Sequence, residues 1–147
     1  MTVKRKFPEA PIVAVSALIL NEEKKFLAVK RNKAPGKGQW SLPGGAVKLG
    51  ETIRDALVRE VREETGLHVK IIKIQGVFDR IFKTPENAVK YHYVIINFLC
   101  RVDSGTPRAA SDAGEVTWIS FRDISKFQWT EGIPATSKKP PGNLLEK

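Results

Sequence analysis

Residues 12–20 are apolar at both parities except for Ser16, the pattern of a strand covered on both faces. The polar stretch 21–24 then reads as a turn into residues 25–29, so a β-hairpin is predicted at the start of the chain. Between Arg31 and Gly45 come Pro35, Gly36, Gly38, Pro43, Gly44 and Gly45, which predict a loop. Residues 52–64 hold neither Gly nor Pro and predict the one clear helix; it ends at Thr65-Gly66, where Gly66 suits a left-handed cap. Branched and aromatic residues dominate 69–77 and 90–102, with a turn at 83–87 between them, and 115–121 is a shorter strand after Asp112-Ala113-Gly114. From about Gln128 the chain carries Gly132, Pro134, Pro140, Pro141 and Gly142, which predict a tail without regular structure. One helix among about five strands, several covered on both faces, implies an α/β fold with a mixed sheet between helices.

Length adds that 147 residues make one domain, 1–147, able to bury its own core. With 41% apolar and 28% charged residues the chain has the composition of a folded domain. Its net charge of +9 favours anionic partners, with nucleotide phosphates first among them. A lone cysteine, Cys100, excludes a disulfide framework and a Cys-rich metal centre and suits the cytoplasm. Lys4-Arg5-Lys6 before an apolar run imitates a signal peptide, but Pro8, Glu9 and Pro11 interrupt it, and a buried strand is the reading adopted. No apolar run reaches the roughly 20 residues that span a bilayer, so no membrane partner is expected.

On a helical wheel Ile53, Ala56, Leu57 and Val61 share a stripe, with Arg54, Asp55, Arg59 and Arg62 opposite. Glu60, Glu63 and Glu64 project onto the stripe side, so the face that is apolar in the first turns becomes acidic in the last. Like charges at these spacings cost roughly 0.2–0.5 kcal/mol per pair. Five of the 16 acids, Glu51, Asp55, Glu60, Glu63 and Glu64, fall in one short stretch of a basic chain. They are either a surface network paired with Arg54, Arg59 and Arg62 or a site for a hard cation such as Mg²⁺ or Mn²⁺.

The full spacing decides between these readings: Gly45, five residues, Glu51, seven residues, Arg59-Glu60-Val61, one residue, Glu63-Glu64, one residue, Gly66-Leu67. At average residue usage its chance probability is on the order of 10⁻⁹ per starting point. This pattern resembles the Nudix hydrolase box at every position over 45–67, and Trp40-Ser41-Leu42-Pro43-Gly44 is similar to the family's lead-in. The resemblance covers the chain to about Ser125 and implies an α/β/α sandwich with a mixed sheet. It implies Glu60, Glu63 and Glu64 as ligands of Mg²⁺ (or Mn²⁺), joined by the carbonyl of Gly44, with Glu51 and Arg59 as the pair that orients them. Asp112, or else Glu115, would be the further acid from a later loop; the base that takes a proton from the attacking water is left open between Glu60 and Glu63.

The implied reaction is Mg²⁺-dependent hydrolysis of a pyrophosphate bond. ADP-ribose or a similar nucleotide sugar is the expected substrate, on a softer likeness of residues 91–98 and 104–113 to the ADP-ribose pyrophosphatase-like branch. MutT-like cleavage of a nucleoside triphosphate is the first alternative, and a non-catalytic nucleotide- or RNA-binding module the second. The intact box argues against that module, so nucleic acid is not an expected partner. A homodimer is compatible with the resemblance. Seven basic residues and no acid between Lys24 and Lys48 form either a phosphate-attracting rim or a solvated hairpin and loop. For substrate contacts, Arg80 suits a phosphate, and Trp40, Phe78, Phe82, Tyr91 and Tyr93 are candidates to stack on a base. Trp118 and Phe121 are assigned to the core, His68 to the surface, and His92 to a structural role in its strand.

Overall fold

The computed structural model describes residues 4–32, 36–110 and 113–130. Strand β1 (Ile12–Leu20) runs through the middle of the sheet and buries side chains to both sides, as its unbroken apolar run predicts. It turns into β2 (Phe26–Arg31) and pairs with it antiparallel. Two short strands lie inside the stretch predicted as loop: β3 (Trp40–Ser41) against β2, and β4 (Gly44–Ala46) against β1. The glycines that suggested a loop are what allows this pairing. A Cβ on Gly44 would collide with the backbone carbonyl of Val15.

Helix α1 (Ile53–Thr65) begins one residue after Thr52, whose hydroxyl accepts from the Asp55 amide at 3.0 Å. It ends at Gly66 with φ of 77°, where the glycine amide donates to the Arg62 carbonyl at 2.9 Å. Beyond it, β5 (His68–Lys83) and β6 (Val89–Ser104) form a hairpin 16 residues long on each side. The sequence pattern ends the first of these strands at Val77. It continues to Lys83 because Phe78, Arg80 and Phe82 alternate with exposed residues and pair with Ile95, Tyr93 and Tyr91. β7 (Ala113–Ile119) lies against β2 and leads into a 3₁₀ segment, Phe121–Lys126.

The sheet order is β3-β2-β1-β6-β5, with β4 on β1 and β7 on β2. Among the strands of the described residues only β1 and β6 pair in parallel, which makes the sheet mixed as predicted. On one face Val15, Ala17, Ile19, Phe98 and Cys100 pack against Ala56, Leu57 and Val61 of α1. On the other, Leu18, Leu20, Phe26, Ala28 and Leu99 pack under Phe121, Ile124, Phe127 and Trp129. Trp118 and Phe121 therefore pack on the core, as expected, and His68 is exposed. Among the described residues that second face is covered by the 3₁₀ segment Phe121–Lys126 and an aromatic strip. Residues 128–130, read as the start of an irregular tail, run beside β3. The Trp40 amide donates to the Gln128 carbonyl at 2.8 Å and the Thr130 amide to the Trp40 carbonyl at 2.9 Å.

Candidate active site

A cavity of about 370 Å³ opens where β4, the carboxyl half of α1 and the β5–β6 hairpin meet. Gly44, Gly45, Arg59, Glu60, Glu63 and Glu64 line one side. Arg5, Lys30, Arg31, Arg80 and Tyr93 are among the other lining residues, so the cavity holds basic groups as well as acidic ones.

The acidic side is organised by Arg59. Its Nε and Nη2 donate to the two carboxylate oxygens of Glu51 at 2.7 and 2.9 Å, a bidentate clasp closed by the Lys48 amide donating to Glu51 Oε1 at 3.0 Å. From the same guanidinium, Nη1 reaches Glu60 Oε1 at 2.8 Å and Glu63 Oε2 at 3.2 Å, while Nη2 donates to the Ala46 carbonyl at 3.2 Å. On the wheel Arg59 falls among the solvated residues. In the structure its side chain is only 16% exposed, because the loop carrying Glu51 folds back over that flank of the helix. Glu64 Oε1 accepts from the Gly44 amide at 2.8 Å and ties the helix to β4. Gly45 completes the corner, since a Cβ there would sit 2.5 Å from the Glu60 carboxylate.

These contacts set the charges. Hydrogen bonding from Arg59 holds the Glu51 carboxyl at about 2, against the opposing effect of burial. Burial pushes Glu60 the other way, above its ordinary range; Arg59 and Arg5 pull it down and Glu63 adds to the rise. Arg59 is held more firmly protonated by Glu51 and Glu60.

Among the described residues no three His, Cys, Asp or Glu side chains converge closely enough to enclose a metal ion. The guanidinium lies between Glu60 and Glu63, and Glu64 is turned to the Gly44 amide. The donor set nonetheless fits a hard divalent cation: three carboxylates from one helical turn beside a glycine corner whose carbonyls no side chain shields. A buried carboxylate held above its ordinary pKa is one that a cation would relieve.

Of the other residues singled out from the sequence, Arg80 lines the cavity, as do Lys30, Arg31 and Lys48 of the basic stretch; Lys24, Lys25 and Lys37 do not. Of the aromatic candidates Tyr93 lines the cavity, and Trp40, Phe78, Phe82 and Tyr91 lie outside the lining. Trp40 packs edge-on to Phe127 at 5.5 Å between centroids, and Phe78 lies over Gly76. Tyr91 stacks at 6.5 Å on Tyr93, which lines the cavity. Glu115 is exposed on β7 opposite Lys30. Asp112 and Lys33 lie outside the described residues. Sequence reasoning missed Arg5 and Ser16 in the lining. The basic triplet 4–6 was the available signal for Arg5, and the Phe7 amide, donating to the Lys90 carbonyl at 2.8 Å, pins that segment to β6.

The NUDIX domain family model matches residues 10–138. An ADP-ribose pyrophosphatase of Methanocaldococcus jannaschii is 37% identical over 117 residues, which cover 80% of this chain and 66% of that protein, just under two-thirds of its length. Among solved structures, a MutT protein of Methanosarcina mazei superposes with a TM-score of 0.69 at 30% identity, over 88% of this chain and 90% of that one. A MutT NUDIX hydrolase of Burkholderia pseudomallei gives 0.70 at 26% identity, over 88% and 95%.

Proposed function

Since this chain belongs to the Nudix hydrolase family, we propose that it cleaves the pyrophosphate bond of a nucleoside diphosphate derivative in the cytoplasm, with ADP-ribose or a similar nucleotide sugar as substrate. The observation that carries this reading is the meeting of three box carboxylates and a basic wall in one cavity of about 370 Å³, within the size range of small-ligand pockets. Glu60, Glu63, Glu64 and the Gly44 carbonyl would hold Mg²⁺ or Mn²⁺. When bound, the ion neutralises diphosphate charge and makes a water a better nucleophile.

The chain's own residues do the remaining work. Glu51 anchors Arg59, and Arg59 holds Glu60 and Glu63 in orientation. Gly44 and Gly45 keep the corner open for a phosphate. Arg80, with Arg5, Lys30 and Arg31, supplies positive charge for the distal phosphate. Tyr93, stacked on Tyr91, offers an aromatic flank.

The MutT proteins among the similar structures favour a second reading, hydrolysis of a nucleoside triphosphate to the monophosphate and pyrophosphate. Phosphate release separates the two when the nucleotide sugars, whose diphosphates are protected until cleaved, are coupled to alkaline phosphatase and the triphosphates to inorganic pyrophosphatase, which reports only released pyrophosphate. The panel contains ADP-ribose, other nucleotide sugars and the nucleoside triphosphates, each with and without Mg²⁺. Mg²⁺-dependent turnover concentrated on ADP-ribose or another nucleotide sugar supports the first reading and turnover of triphosphates alone the second. Affinity for RNA that falls steeply with salt, without turnover of anything in the panel, would replace both.

A further inference from the structure

Ser16 is the one polar residue in the apolar run of β1, and Asn97 interrupts the apolar centre of β6. The parallel register sets them side by side, and Asn97 Nδ2 donates to Ser16 Oγ at 2.7 Å. Asn97 is fully buried, and its Oδ1 accepts from Gln75 Nε2 at 2.8 Å. Gln75 is the extra residue of a bulge, since Ile74 pairs with Phe98 and Gly76 already pairs with Asn97. Bulges re-aim side chains, and this one turns a glutamine from an edge strand inward. Three polar side chains thus cross three adjacent strands, β5, β6 and β1, through an otherwise apolar layer. Only the last of them, Ser16, lines the cavity.

A buried amide costs stability unless its hydrogen bonds are met, and an aliphatic residue at position 97 would need none. The chain keeps the amide, and its geometry has a directional outcome. With its oxygen accepting from Asn97, Ser16 has its own proton left to donate toward the cavity. On its other edge β1 is paired with β4, with Ser16 opposite Gly44, so that proton sits beside the corner where the carboxylates gather.

We propose that Ser16 is a substrate-contacting residue that donates its hydroxyl proton to a phosphate oxygen of the bound diphosphate, and that Asn97, itself held by Gln75, is the positioning residue that turns the hydroxyl that way. The inference rests on the pyrophosphatase reading above and adds to it a contact outside the box.

The test uses the full chain with Mg²⁺, measuring turnover of ADP-ribose and, by calorimetry, binding of α,β-methylene-ADP. Ser16→Ala is expected to lose about tenfold in kcat/KM and to bind the analogue about tenfold more weakly, the effect of one charge-assisted hydrogen bond. Ser16→Thr, which keeps the hydroxyl, is expected to restore most of both. Asn97→Leu is expected to lose several-fold in the same two readouts, and Ser16→Ala/Asn97→Leu no more than Ser16→Ala alone. Gln75→Ala, which alters only the partly buried end of the relay, gives a milder version should Asn97→Leu not fold. A Ser16→Ala protein that melts earlier but keeps wild-type KM and analogue affinity overturns the inference, because the relay is then structural. Additive losses in the double variant overturn the role given to Asn97. Wild-type protein that turns over only triphosphates, or that turns over neither ADP-ribose nor another nucleotide sugar, defeats the parent reading and this inference with it.

Discussion

The loop before α1 and the carboxyl half of α1 grip the same guanidinium, yet they carry their charge under opposite conditions. Glu51 has both oxygens on Arg59 and a backbone amide besides, and its carboxyl is held at about 2. Glu60 has one oxygen on Arg59, a like charge nearby and a buried setting that raises it. The first is a finished structural joint. The second is a negative charge whose surroundings satisfy it only in part, the condition in which a cation binds with a gain in stability.

The sharpest way to break this contrast is Glu63→Gln. Its side chain is 45% exposed and makes only the 3.2 Å contact to Arg59, so folding should change little. Hydrolysis should fall by about 10²–10³-fold or more, as when one preorganised electrostatic group is removed. A variant with wild-type kcat would end its assignment to the metal site. Next in size is Arg59→Leu, which strips both carboxylates of their partner at once; a loss of about 3 kcal/mol is expected in urea unfolding. Were the loss under about 0.5 kcal/mol, the joint at Glu51 would be no joint.

The two glutamates should then separate by pH. Glu51, lowered on folding, contributes stability that is present above its ordinary value of 4.5 and disappears as pH falls toward 2. Glu60, raised on folding, contributes stability that is full below 4.5 and disappears as pH rises through its folded value. Glu51→Gln should therefore flatten the acid limb of the stability curve. In metal-free buffer Glu60→Gln should be as stable as wild type at neutral pH, or more so. Identical curves for the two variants would erase the distinction. Smallest is Gly66→Ala, which places a Cβ at φ of 77° at the end of α1. About 1 kcal/mol should be lost, with kcat/KM kept if Arg59, not the cap, holds the carboxylates in place.

How much of this could be read beforehand follows from how local each feature is. Helix α1 and its caps depend on residues 52–66 alone, and the box spacing carries its own chemistry, so both were legible. The pairing of β4 with β1 was not, because Gly44 and Gly45 look like loop formers until Val15 is known to lie beside them. The wheel alone set Arg59 opposite the apolar stripe for the same reason, since it shows the helix and omits the loop bearing Glu51; the box spacing had paired the two residues. Aromatic residues carry no sign of their surroundings, and so Trp40 was weighed for base stacking on equal terms with Tyr93, although of the two Tyr93 lines the cavity and Trp40 does not. The relay from Gln75 to Ser16 needs a bulge and a parallel register, neither of which leaves a local trace.

Ser16 and Asn97 are 81 residues apart along the chain. A polypeptide leaving the ribosome can complete the first hairpin, and even the whole box, and still have no floor under its phosphate corner. That floor arrives only when β6 slides in parallel beside β1, among the costliest loops to close in this topology. A nascent or truncated chain ending before residue 97 would thus carry every box carboxylate and remain inert. Hydrolytic competence should therefore appear late in synthesis, as a step rather than a slope.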